Sequence, residues 1–265
     1  MPISIWNDYG KIKTRKHLYT DIVSVKGEYS RESFSDIVKK YLNKNTSLLD
    51  EGCGIADHLI KYSDGAKKVV GIDFNKVSLS EAKYRTKNCD TIDVMRADIE
   101  NLPFKDENFD IATNVFAPQS LASCIEVKGV LKYGGIYIRT TGAGDFVKFE
   151  GDILTRPQDI VGRGAFIDKK PNEIIKEEKQ QILYSGLILE NVEEFKGIKV
   201  FDRMDNLISH IENSGHFRFY EPFMPLDKEE IEKLKRHNKE FEISYNGKRV
   251  FALPFDTLLT ISKKL

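Results

Sequence analysis

The chain has 265 residues, 31% of them charged, with Lys+Arg and Asp+Glu both at 41 and a formal net charge of +0. That length suits one large α/β domain, or a domain with a sizeable insertion, and is enough to bury a core. The neutral balance gives no global attraction to nucleic acid or an anionic membrane, no apolar run reaches the length of a membrane span, and the N-terminus lacks the apolar stretch of a signal peptide.

The three cysteines, Cys53, Cys89 and Cys124, form no CxxC pair and no Cys/His array with zinc spacing, so no metal is expected. Free thiols fit a reducing cytoplasm. The first 45 residues carry nine Lys/Arg against five Asp/Glu, a mild excess read as a solvated face.

In chain order, the first 45 residues read as an N-terminal helical arm. "SLLDEG" is a strand running into a turn, and "KKVVGIDF" is a second strand, β-branched and buried in character. "NKVSLSEAKYRTKN" has helical spacing. "IDVMRADI" and "FDIATNVF" are a third and a fourth strand. "LASCIEVKGVLKYGG" reads as a helix stopped at Gly134-Gly135, and "IYIRTT" as a fifth strand. Strands alternating with helices imply crossover units and a mainly parallel sheet.

After Thr141 the rhythm changes. Gly142 to Pro171 reads as a long loop, "NEIIKEEKQQILYS" as a helix ended by Gly186, and "LILENVEEF" as a strand. Two charged helical stretches follow, the second opening on "PLDKEEIEKL" with an Asp cap. "EISYNGKRVFAL" carries a hairpin signal at Asn246-Gly247, and "FDTLLTISKK" is a final strand. The expected fold is an α/β, Rossmann-like, seven-stranded, mainly parallel sheet with helices on both faces and an antiparallel last strand. The expected organisation is one domain over 1–265. It divides into the arm (1–45), a core (46–195), a helical insertion or cap (196–240) and a closing hairpin (241–265).

The chemistry starts at "SLLDEGCGIADHLI". Gly52 and Gly54 allow a tight turn and let a ligand approach where a strand ends and a helix begins. Asp73 closes the next strand nineteen residues after Gly54, where an acid grips a ribose diol. The spacing is G-x-G-x-A, with Asp57 where a dinucleotide fingerprint wants a small residue. Asp50, two residues before Gly52, disfavours a pyrophosphate and favours a cationic, donor-rich partner.

These residues identify a resemblance. "LLDEGCGIAD" resembles motif I, D-x-G-x-G-x-G, of the class I S-adenosylmethionine (SAM) dependent methyltransferases. "VVGIDFN", "RADIENLPF" and "FDIATNVF" resemble their second, third and fourth motifs, and "VLKYGGIYIRTT" their post-motif helix-turn-strand. The five lie in order over about 47–141. The tail "NGKRVFALPFDTLLTISKK" resembles the closing hairpin of the small-molecule branch; between about 142 and 240 the likeness is weak. Ala56 stands in place of the third glycine, and Tyr133 in place of the usual proline.

The resemblance implies SAM as cofactor and S-adenosylhomocysteine as product. It assigns Asp50, Gly52, Cys53, Gly54 and Ala56 to the methionyl end, and Asp73 to the ribose hydroxyls. Phe74 falls beside the adenine, Asp98 and the Ile99 N–H on its edge, and Asn114 and Phe116 toward the methyl group. Beside each stands a structural alternative: Asp50 as a helix cap, Asp73 and Asp98 as turn acids, Phe116 as core, His58 as packing.

In-line methyl transfer depends mostly on orientation, and a base is needed only if the acceptor keeps its proton. No conspicuous catalytic residue stands out. Asn114, Tyr19 and His216 are the catalytic candidates, with His17, Tyr29, His210 and Tyr220 as further bases or contacts. Trp6 and Tyr9 are lid candidates, and the arm and insertion together are expected to cover the acceptor. The implied activity is methylation of a small molecule. Two alternatives stand beside it. One is an RNA methyltransferase of the rRNA guanine-N1 kind, loosely suggested by "NVFAPQS", although the N-terminal zinc module is missing. The other is a non-catalytic SAM-binding protein.

Overall fold

The computed structural model describes residues 21–26, 31–142, 148–149, 152–153, 157–161, 171–214, 226–254 and 257–265. These fall into two compact units. The sheet unit comprises Ser30–Gly142, Asn172–Glu194 and Leu258–Leu265; the second unit takes the described parts of Met1–Tyr29, Ala143–Pro171 and Phe195–Thr257.

In the sheet unit, α1 (Arg31–Lys39) precedes β2 (Ser47–Glu51), α2 (Asp57–Tyr62), β3 (Lys68–Asp73), α3 (Lys76–Thr86) and β4 (Ile92–Arg96). Then come β5 (Phe109–Val115), α4 (Leu121–Val130), β6 (Leu131–Gly142), α6 (Pro171–Ser185), the first half of β9 (Ile188–Phe201) and β12 (Thr257–Lys263). The order across this unit is β4-β3-β2-β5-β6-β12-β9; the hydrogen-bonded path continues through β9 to further strands, so the sheet has ten strands rather than the expected seven. β4, β3, β2, β5 and β6 pair in parallel. β12 runs the other way along β6: Lys264 exchanges backbone hydrogen bonds with Gly134 and Gly135, while Ser262 reaches the Tyr137 carbonyl. Leu48, Leu49, Val69, Val70, Ile72, Ile111 and Ala112 are all buried. Continuous apolar runs of this kind suit strands covered on both faces, and each buried aliphatic side chain contributes roughly 1.5–3 kcal/mol.

Alternation along the strands sorts the two faces. Leu49, Val70, Ile72, Ala112 and Tyr137 pack with Cys124, Val127 and Val130 of α4 and Ile182 of α6. On the other face Gly71 stands against Leu59 of α2. Phe34 of α1 meets the His58 ring edge-on at 5.7 Å, and His58 stacks on Tyr62. Asn75 caps α3 by accepting from the Val77 and Ser78 amides. Ser120 and Ser123 cap α4 reciprocally.

In the second unit β1 (Asp21–Lys26) pairs antiparallel with the second half of β9, Asp21 opposite Val200. The other edge of that half takes β11 (Lys248–Pro254), which pairs with β10 (Glu242–Tyr245). Asn246 and Gly247, at φ 51° and 72°, make the two-residue turn that Asn-Gly favours. The short strands β7 (Lys148–Phe149) and β8 (Asp152–Ile153) and the helix α5 (Pro157–Val161) precede α7 (Met204–Ser214) and α8 (Lys228–Arg236). Leu207, Ile208, Ile211, Leu234, Phe241 and Phe201 form its core.

Three further expectations are corrected. The arm read as helical holds a strand, β1, ahead of its helix. The insertion read as helical begins inside a strand, because β9 continues to Phe201. The helix after the fourth strand stops at Val130, where Leu131 turns extended, rather than at Gly134-Gly135. Those glycines lie in the irregular stretch before regular β5–β6 pairing resumes at Ile136.

Candidate active site

From β2 the chain builds outward to β3 and β4, then crosses back to β5 and β6. The order therefore reverses between β2 and β5, and the crevice beyond their C-terminal ends is where open α/β sheets bind ligands. Two turns meet there. One follows β2 and contains Gly52, Cys53, Gly54 and Ala56; the other follows β5 and contains Phe116 and Ala117, with Asn114 near the end of β5 holding it.

In the first turn every second residue is left-handed: Gly52, Gly54 and Ala56 have φ of 65°, 56° and 70°. The two glycines differ. A Cβ on Gly52 would stand 2.3 Å from the Cβ of Ala117, so this glycine lets the two turns touch. A Cβ on Gly54 would meet no described residue within 4 Å, which leaves room for a ligand. Cys53 donates its amide to the Ile72 carbonyl at 2.8 Å, and its buried Sγ faces Gly71. Arg85 of α3 donates to the Ile55 carbonyl and to Asp57, both at 2.7 Å, fixing the turn's exit.

The acids of the turn have distinct environments. Asp73 accepts from the Gly54 amide and the Asn75 amide, each at 2.8 Å and each on a different oxygen. It thus braces the turn, tying the glycine segment to the start of α3. Asp50 is 2% exposed and accepts at 2.6 Å from the Thr113 hydroxyl. Burial pushes its pKa up to about 7, against that hydrogen bond and with a further push from Asp73. A cation placed beside it would draw it back to the ionised form.

At the ends of β3 and β4, the Arg96 guanidinium lies 4.4 Å from the centroid of the Phe74 ring and donates to the Phe74 carbonyl at 3.1 Å. Asp98 accepts from the Glu100 amide at 2.9 Å and its carbonyl from Asn101, the turn-acid arrangement; Ile99 packs half-buried on the core. Near the end of β5, Asn114 is fully buried. Its Oδ1 accepts from the Ala117 amide at 3.2 Å and its Nδ2 donates to the Pro118 carbonyl at 3.2 Å. Phe116 adopts φ 55° and is 42% exposed. The geometry thus groups Asp50, the glycines, Asp73, Asn114 and Phe116 around the switch point, with Phe74, Asp98 and Ile99 at the next strand ends. Tyr19, His216, Trp6, Tyr9, His17, Tyr29 and Tyr220 lie outside the described residues. His210 belongs to the second unit, where its ring lies 5.2 Å from that of Phe201.

Residues 48–135 match the family model of a methyltransferase domain. Over that third of its length the chain is similar to a methyltransferase domain. The demethylmenaquinone methyltransferase of Staphylococcus saprophyticus is 31% identical over 146 residues, 48% of this chain and 63% of that protein. The same enzyme of Staphylococcus epidermidis is 36% identical over 104 residues, 37% of this chain and 43% of that protein. The match therefore spans about half the length of these relatives. Among solved structures, the YcgJ protein of Bacillus subtilis has a TM-score of 0.57 at 15% identity, covering 89% of this chain and 99% of its own. The geranyl diphosphate C-methyltransferase of Streptomyces coelicolor has a TM-score of 0.55 at 12% identity, covering 100% and 99%. The [4+2]-cyclase SpnF has a TM-score of 0.56 at 17% identity, covering 98% and 92%. At such identities these likenesses establish the fold.

Within the sheet unit, a buried polar cluster was not anticipated from the sequence. Tyr137 donates to Glu51 at 2.7 Å. Arg139, 1% exposed, pairs with Glu178 of α6 at 2.5 Å and donates to the Cys124 sulfur at 2.8 Å. Burial pushes the Glu51 pKa up to about 8, although Tyr137, Asn114 and Arg139 all favour its ionised form. The signal was present in "IYIRTT" and "LLDE". Tyr137, Arg139 and Glu51 fall on the strand parity that faces α4 and α6. Gln119, whose amide donates to the Thr140 carbonyl at 2.8 Å, carried no such signal.

Proposed function

We propose that the chain is a SAM-dependent methyltransferase acting on a small-molecule acceptor. The observation that carries this reading is the turn itself: room at Gly54, an acid braced on the turn at Asp73, and a buried acid at Asp50. No basic side chain of the turn is set to hold a pyrophosphate, whereas two acids suit an amine and a sulfonium. The relatives' names support methyl transfer and a small organic acceptor.

When bound, SAM supplies an electrophilic methyl group. The chain's own residues bind and orient. Asp73 accepts from the ribose hydroxyls, and Asp50 offers a carboxylate to the methionyl amine. Gly52, Cys53, Gly54 and Ala56 form the wall along the methionyl end. Phe74 lies against the adenine, while Asp98 and the Ile99 amide read its edge. Phe116 and the turn held by Asn114 stand on the acceptor side. Tyr19 and His216 are retained as candidate bases. We further propose that the second unit recognises the acceptor, supported by the pairing of β1 with β9, which joins an arm residue such as Asp21 to the insertion strand. A cytoplasmic setting fits the free thiols; no described helix is long and apolar enough to cross a membrane.

Calorimetry with SAM and with NAD, on the wild type and on Asp73→Ala, tests this reading. The wild type should bind SAM at about −8 kcal/mol, in the micromolar range, and not NAD. Asp73→Ala should lose roughly 1.5–3 kcal/mol of that affinity while remaining folded. Tight NAD binding without SAM binding would refute the proposal.

A further inference from the structure

Building on the methyltransferase reading, we propose that Gln119 is an acceptor-positioning residue, whose amide oxygen takes a hydrogen bond from an O–H or N–H of the methyl acceptor, an aromatic alcohol or amine.

Ala117 N–H donates to Asn114 Oδ1, which identifies that atom as the oxygen. The Gln119 group facing it at 3.4 Å must then be the nitrogen, and the Thr140 carbonyl at 2.8 Å demands the same. With Nε2 bound on both sides, Oε1 is turned away from these partners. That oxygen is buried and has no hydrogen-bond partner. An interior acceptor without a donor is a costly arrangement that native proteins retain for a reason. The Thr140 hydroxyl oxygen, on a residue with 0% exposure whose carbonyl anchors the Gln119 amide, is also without a partner.

The place gives this orphan its meaning. Gln119 closes the turn after β5, at the switch point, in the segment whose Ala117 abuts Gly52. The turn holds Phe116 at φ 55°, a conformation unfavourable for a bulky residue, and leaves the residue 42% exposed. A partly exposed aromatic residue three positions from a fixed hydrogen-bond acceptor suits an acceptor molecule with an apolar body and a polar hydrogen. An amide oxygen is too weak a base to remove that proton; it can only hold it, so the role of Gln119 is positioning.

The test uses 2-naphthol and 2-methoxynaphthalene, nearly equal in shape but differing in the O–H. Binding is measured by equilibrium dialysis with and without S-adenosylhomocysteine, whose own affinity is determined separately by calorimetry. The wild type is expected to bind 2-naphthol at least about tenfold tighter than the methyl ether. Gln119→Leu is expected to lose that preference with its S-adenosylhomocysteine affinity and melting temperature retained. Equal binding of the two probes by the wild type, or binding of neither, overturns the proposal. A preference that persists in Gln119→Leu also overturns it, leaving the orphan oxygen to an ordered water. Failure to bind S-adenosylhomocysteine would count against the methyltransferase reading; the probe comparison without it would still judge Gln119.

Discussion

Gly52 and Gly54 share a left-handed backbone and have opposite surroundings, so the same substitution should do different things at each. Gly52→Ala would drive a methyl into Ala117 and should destabilise the fold by about 2–4 kcal/mol, combining overpacking with left-handed strain. Gly54→Ala should carry only the left-handed strain, about 1–2 kcal/mol, because its methyl meets no described residue. That methyl would instead fill the space we assign to the cofactor and should weaken SAM binding by tenfold or more, about 1.4 kcal/mol or above. The chain already tolerates such a residue at Ala56, φ 70°, in the buried wall of the same turn. Urea unfolding and SAM calorimetry on both variants check the contrast. A Gly54→Ala protein with full SAM affinity would place the ligand elsewhere. Gly52, Gly54 and Asp73 were legible because their spacing reflects backbone conformation and strand length, which are local. The inward turn of Asn114 was not, since its partners are fixed by how the next five residues fold around its amide.

At the scale of elements, β2 and β6 carry a polar cluster where parallel strands are usually apolar. Glu51 has a folded pKa of about 8 against an ordinary 4.5, raised by burial. The folded state therefore keeps a proton that the unfolded chain releases, and the contribution is fully present below pH 4.5 and lost as pH rises toward 8. Asp50, raised from 3.8 to about 7, acts in the same direction. Each group lowers stability by up to about 1.4 kcal/mol per pH unit within its window. Glu51→Gln keeps an acceptor for the Tyr137 hydroxyl and removes one of the two titrations. Its urea midpoint should exceed that of the wild type increasingly from pH 5 to pH 8; parallel pH profiles would mean that Glu51 ionises normally in the fold. The parallel strands themselves were readable, because burial on both faces leaves continuous runs such as "KVVGI". The helix stop was misplaced because Gly134-Gly135 imitates a C-cap, while the chain had already turned extended at Leu131 to enter the β6 segment.

For the whole molecule, the strand order of the sheet unit follows from alternating strands and helices, but the second unit does not. Its central strand, β9, is extended on both sides of Phe195, and "FKGIKVF" continues the alternation with Ile198 and Val200 buried. β1 pairs with it from about 175 residues away, Asp21 opposite Val200. "DIVSVK" has the β-branched character of a strand, yet the pairing is long-range, and nothing local in the charged arm announces it. Local spacing could point to the glycine turn and Asp73, whereas no local signal marks which residues lie across such long-range pairings. Shared architecture alone does not decide the chemistry, since SpnF, a [4+2]-cyclase, has the same fold. The central claim is methyl transfer to a small molecule, and its most direct test is incubation of the protein with methyl-labelled SAM and a size-fractionated cell extract. Label is expected in the low-mass fraction, dependent on the protein and reduced at least about tenfold in Asp73→Ala at subsaturating SAM. Label confined to RNA, or SAM bound without transfer to any fraction, would contradict it.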